Sequence, residues 1–139
     1  MKHWCVLAVT IALGFTACTT QESNPEAEAA AVKVAKTWVA LIDEGKYDES
    51  YDASATFMRN AVKKEQSSAA IKAAREPLGE VVSREVKSKT YMTSVPGGPD
   101  GEYVVVQFNT SFKNKKKAVE TITPMKDNGE WKVSGYYIK

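Results

Sequence analysis

The hydrophobic rhythm of this chain changes once, at Pro77-Leu78-Gly79, and that change restricts the fold more than any other feature. Before it, apolar residues return every three or four positions, as one face of a helix does; after it they alternate, as one face of a strand does. Strands joined by short turns pair antiparallel, and the helices that precede them must bury the sheet's apolar face. The expected class is α+β, with about three N-terminal helices packed on a four-stranded antiparallel meander.

Asn24-Pro25 starts the first helix. Asn supplies an oxygen to the orphan amides, Pro fits the first helical position, and Glu26 and Glu28 lie at the positive end. Ala31, Val34, Trp38, Leu41 and Ile42 recur at helical spacing, and Gly45 is the stop. Tyr47, Tyr51 and Ala55 predict a short second helix. Phe57, Met58, Ala61 and Val62 extend a helical pattern that Gln66-Ser67-Ser68 is expected to interrupt. An alanine-rich helix with Ile71, Ala74 and Arg75 then ends before Pro77, because the residue preceding proline avoids the helical region.

From Glu80 the period is two. Val82, Arg84, Val86 and Ser88 share a face of a first strand that reaches about Val95, and Pro96-Gly97-Gly98-Pro99-Asp100-Gly101 turns the chain. Tyr103 to Phe112 comes next, with Val104, Val106, Phe108, Thr110 and Phe112 facing a core. Asn114 to Lys116 leads into a third strand, Lys117 to Lys126. Asn128-Gly129 is a hairpin signal before Trp131, Val133, Gly135 and Tyr137.

Ahead of this domain, Lys2 is followed by an uncharged apolar run from Trp4 to Phe15, the length of a signal-peptide core and too short to span a bilayer, which takes roughly 20 residues. Phe15-Thr16-Ala17-Cys18 fits an ordinary signal-peptidase site poorly, because the third residue before the cut is large. It resembles a lipobox, the motif at which bacterial lipoproteins are cleaved and acylated. Residues 1–17 are thus expected to be a lipoprotein signal peptide, Cys18 the lipid-bearing residue, 18–24 a short tether and 25–139 a single domain. Stable anchoring takes more than one acyl chain, and a lipoprotein cysteine carries diacylglycerol and an N-acyl group; no other cofactor is expected. Thr19 in place of Asp favours the periplasmic face of the outer membrane over inner-membrane retention or secretion.

Composition then narrows the chemistry. Cys5 and His3 leave with residues 1–17 and Cys18 is taken by lipid, so the mature chain has no histidine and no free thiol. His-based triads, cysteine nucleophiles, disulfides and the usual zinc sites are excluded. Eighteen basic residues against 17 acidic ones give no general electrostatic case for nucleic acid.

The residues Trp38-x-x-Leu41-x-Asp43-x-Gly45-x-Tyr47-x-x-Ser50-Tyr51, Arg75-x-Pro77-Leu78-Gly79 and Ser83-Arg84, followed by Pro99-Asp100-Gly101-x-Tyr103, Glu120-Thr121 and Trp131-Lys132-Val133-x-Gly135-Tyr136-x-Ile138, resemble the bacterial domain-of-unknown-function family 4019 over nearly all of 30–139. The chain departs from that pattern around Ser67, where many members carry an aromatic residue. The resemblance implies an exported domain without an assigned activity and a cone-like fold similar to nuclear-transport-factor-two-like proteins. It carries over no catalytic residues.

Four groups of residues are candidates for function. Arg75, Arg84 and Glu120 could line a polar pocket that recognises an anion or carboxylate through arginine's bidentate geometry, or form a structural ion pair between helix and sheet. Lys113, Lys115, Lys116 and Lys117 could contact anionic lipid at a hairpin tip, or simply solvate a turn and discourage edge pairing. Asp43, Glu44, Asp48, Glu49 and Asp52 read as capping groups on a solvated face, without the ligand spacing of a calcium loop. Tyr103, Trp131, Tyr136 and Tyr137 read as core and cross-strand packing. No catalytic residue and no metal site is assigned. The expected role is non-enzymatic binding of an envelope protein or ligand from a membrane-anchored position. Alternatives are a small-molecule enzyme with a polar pocket and a homodimeric scaffold.

Overall fold

The computed structural model describes residues 22–139; the signal segment, Cys18 and tether residues 19–21 lie outside the described residues. Helix α1 runs Pro25–Asp43, and Asn24 caps it, its side-chain oxygen accepting from the Ala27 amide at 3.1 Å. Its inward stripe is Ala27, Ala31, Ala35, Trp38, Val39 and Ile42, which pack with Ile71 against Val104, Val106, Phe108, Ile122 and Val133 of the sheet. Trp38 ties this helix to the next segment of chain: its indole N–H lies 2.8 Å from the Ser50 carbonyl and 3.0 Å from the Ser54 hydroxyl.

Helices α2 (Tyr47–Asp52) and α3 (Thr56–Ala61) are too short to persist alone and depend on tertiary bonds. The Ala55 amide donates to the Val133 carbonyl and the Thr56 amide to an Asp127 carboxylate oxygen, both at 2.7 Å. The interruption expected at Gln66-Ser67-Ser68 falls earlier, at Val62-Lys63, and α4 (Lys64–Arg75) passes through both serines. Among the described residues the α-helices therefore number four rather than about three. Each serine has a place in the helix. Ser68 donates to Asp48 at 2.5 Å, and Ser67 is buried on the same stripe as Ile71 and Arg75, at i, i+4 and i+8. A 3₁₀ turn, Glu76–Leu78, ends the helical half.

The sheet is an antiparallel meander in the order β1-β2-β3-β4: Val81–Met92, Tyr103–Phe112, Lys115–Asp127 and Glu130–Ile138. The α+β class and the boundaries of β2 are as expected. Asn128 and Gly129 both have positive φ, 51° and 82°, as the two-residue hairpin requires. Two expectations fail because bulges shift the side-chain period. In β1 an extra residue between Val86 and Ser88 moves Ser88 to the face away from Arg84, where its hydroxyl lies 3.2 Å from Gln107. That strand also ends at Met92, short of Val95. In β4 an extra residue between Val133 and Tyr136 turns Tyr136 inward and leaves Tyr137 51% exposed. That bulge lies opposite Thr123, next to Pro124, which has no amide hydrogen to pair. The β2–β3 turn is Lys113-Asn114, and β3 begins at Lys115 rather than Lys117.

One face of the sheet carries the helices; among the described residues the other carries none. The open face is polar: Ser88, Gln107 and Thr121 succeed one another across β1, β2 and β3, with the Gln107 amide 3.3 Å from the Thr121 hydroxyl.

Candidate functional site

Four elements converge where α1 and α4 end over the start of β1. Asp43 is the last residue of α1, Arg75 the last of α4, Arg84 stands on β1 and Glu120 on β3. An acid at a helix C-terminus opposes the helix dipole and calls for a cation beside it; here it has two. Arg84 binds Asp43 through both terminal nitrogens, at 2.7 and 3.0 Å, and sends its Nε to Glu120 at 2.7 Å. Arg75 donates to Asp43 at 2.9 Å, has a second nitrogen 3.9 Å from Glu120, and lies 4.8 Å from the centre of the Phe112 ring.

Glu120 is fully buried (0% exposed), a setting that costs several kcal/mol for an unpaired charge. The cost is offset by Arg84 and by two further partners. Thr110 donates to one carboxylate oxygen at 2.6 Å, the same oxygen that accepts from Arg84, and Tyr136 donates to the other at 2.5 Å. Burial, reinforced by the Glu120 charge, pushes the Tyr136 phenol far above its ordinary range, so it remains a donor. Burial pushes the Asp43 carboxyl up, but the hydrogen bonds and charge of Arg84 and then Arg75 outweigh that and hold it below the usual carboxylate range. Two carboxylates and two guanidinium groups thus form a charge-balanced network. Its slack lies on Arg75, 5% exposed, whose Nε and one terminal nitrogen have no hydrogen-bond partner.

Of the predicted residues, the structure joins Arg75, Arg84 and Glu120 in this one cluster. It adds Asp43, Thr110 and Tyr136, which sequence reasoning placed elsewhere. Asp43 belonged to the supposed solvated acids. Others of that group face solvent partners: Glu44 pairs with Lys46 at 3.0 Å and Asp52 with Lys64 at 2.6 Å. The signal that could have separated Asp43 was its position in the last helical turn, two residues before Gly45.

The lysines stand at the same end of the sheet. The turn that carries Lys113 is fastened down: the Lys113 amide donates to Glu80, the Asn114 amide to Leu78, and the Asn114 side chain to Pro77 at 3.1 Å. Gly79 makes this possible, since it has a φ of +75° and a Cβ there would meet Lys113 and Asn114 at 3.2 Å. Lys115 pairs with Phe112, and Lys116 and Lys117 fall in a β3 bulge between the Phe112 and Thr110 pairings. Beside the network, α4 and the end of β4 leave a groove of about 420 Å³ with Ile71, Ala74, Leu78, Tyr136 and Ile138 on its walls and Lys115 at its rim.

Among the described residues no group of carboxylates could hold a metal, and no helix is long and apolar enough to cross a membrane. A family model described as "Protein of unknown function (DUF4019)" matches residues 34–136. The chain belongs to the DUF4019 family. The matched DUF4019 stretch contains all of Asp43, Arg75, Arg84, Thr110, Glu120 and Tyr136, while Cys18 precedes it. No curated protein matches the chain.

Proposed function

We propose that this DUF4019 chain is a lipoprotein of the cell envelope, held by lipid on Cys18 at the periplasmic face of the outer membrane, and that its domain acts by binding rather than by catalysis. The observation that carries the reading is Phe15-Thr16-Ala17-Cys18 directly after a short apolar run, with the folded domain beginning at Pro25. The non-enzymatic half draws support from the network: Asp43, Arg84 and Glu120 satisfy one another, so this group acts as a staple between helices and sheet.

Metabolic labelling with a clickable fatty acid, followed by envelope fractionation, tests the anchor. Wild type should incorporate label and fractionate with the outer membrane, and Cys18→Ala should lose both. An unacylated wild type in the soluble periplasmic extract overturns the placement.

The unpartnered nitrogens of Arg75, with Tyr136 standing both in the network and on the wall of the 420 Å³ groove, favour one second reading, a small-molecule pocket at that place. A panel of carboxylates that raises the wild-type melting temperature would support it, and a panel without effect would remove it.

A further inference from the structure

We propose that the lysine end of the helix-free sheet face is a binding site for a phosphate-bearing ligand, and that this site faces away from the anchoring membrane. The second clause rests on the anchor reading above; the first does not.

Strand pairing assembles the site from distant parts of the sequence. Glu85, Asn109 and Val119 succeed one another across β1, β2 and β3, Lys139 just beyond β4 bonds to Val119 through the backbone, and Ser83 and Ser111 are paired in β1 and β2. These residues line a cleft of about 440 Å³ together with Lys116 and Lys117. Neighbouring strand residues ordinarily point to opposite faces; the bulge at Lys116-Lys117 breaks that alternation, and both residues line the cleft. Lysine is a compact hydrated point charge suited to phosphate, and the serine hydroxyls and asparagine amide add neutral hydrogen-bonding groups.

Positive side chains outnumber negative ones here. Lys113, Lys115, Lys116, Lys117 and Lys139 take part in no ion pair among the described residues. The acids of the opposite face, Asp43 and the buried Glu120, are spent on the two arginines there. Among the described residues Glu85 is the one acidic side chain on the cleft wall, so it should weaken an anion's binding.

Under the anchor reading, the end of the domain nearest the membrane is the one where the described chain begins, at Glu22. Glu22, Ser23 and Glu28 lie against Lys89, Thr90 and Tyr91, and Tyr91 pairs with Val104. The lysine turn begins beyond Phe112, eight residues further along β2, about 26 Å away at roughly 3.3 Å per residue. That is about three screening lengths at physiological ionic strength, taken as roughly 8 Å. A domain standing on its N-terminal end therefore offers the lysines to a ligand in solution or on an opposing surface.

The test uses the lipidated protein in phosphatidylcholine vesicles, titrated calorimetrically with tripolyphosphate. Binding should be saturable, fall about tenfold in the Lys116→Ala/Lys117→Ala protein, as the loss of charge-assisted hydrogen bonds predicts, and tighten in Glu85→Gln. Lys33→Ala/Lys36→Ala, which removes the same charge from the exposed side of α1, should bind as wild type. Equal weakening by both double variants, or no saturable binding, overturns the site. Phosphatidylglycerol mixed into the protein's own vesicles should leave tripolyphosphate affinity unchanged. Competition from that lipid overturns the orientation and returns the lysines to membrane contact. Mass spectrometry of the same sample reports acylation at Cys18, so a failed anchor is told apart from a failed site.

Discussion

Two sets of cations stand at one end of the same sheet, on opposite faces, and their surroundings differ in every respect. On the helix-covered face Arg75 and Arg84 are withdrawn from water and meet Asp43 and Glu120 at 2.7–3.0 Å. On the open face Lys116, Lys117 and Lys139 are exposed and meet no carboxylate. Arginine's planar fork satisfies two acceptors at once and tolerates burial, while lysine keeps its hydration. A near-neutral net charge thus conceals a balanced interior and an unbalanced surface. The same division separates what holds this fold together from what is free to meet a partner.

The sharpest way to break the contrast is to remove the buried acid. Glu120→Ala strands Arg84 Nε and the Tyr136 and Thr110 hydroxyls, and urea unfolding should show a loss of about 3–5 kcal/mol. Arg84→Lys keeps the charge but forfeits the fork; it should cost about 1–3 kcal/mol in the same assay. Asp43 should make acid stability a property of the covered face. Its folded carboxyl titrates below its unfolded value, so its contribution is complete above about pH 4 and is lost as pH falls through the lower folded value. Asp43→Asn should therefore start less stable at neutral pH and lose less between pH 5 and 2, as followed by circular dichroism. The effect is moderate because this side chain is 27% exposed. Smallest of all, Lys117→Arg and Lys116→Ala should each leave stability within about 0.5 kcal/mol of wild type.

The elements were largely legible in the sequence because the patterns behind them are local. Asn24-Pro25 capped a helix, Asn128-Gly129 closed a hairpin, and the alternation from Val104 to Phe112 marked the covered face. What was not legible came from register. One extra residue in β1 and one in β4 exchange inside for outside, so Ser88 leaves the face of Arg84 and Tyr136 replaces Tyr137. The serines of α4 read as a break because serine competes for backbone bonds, yet Ser67 is buried on the packed stripe and Ser68 finds Asp48. The site followed the same rule. Arg75, Arg84 and Glu120 were picked out by their residue types, while Asp43 was lost among neighbouring acids because only the three-dimensional fold brings both arginines to it.

A double-mutant cycle on Arg84 and Glu120 tests most directly the claim that this network is a staple. Unfolding free energies would be measured for Arg84→Met, Glu120→Leu and the pair. In a staple each single change costs several kcal/mol, and the double variant costs clearly less than their sum, because neither charge is then left buried alone. Single variants as stable as wild type, with strictly additive effects, would contradict it.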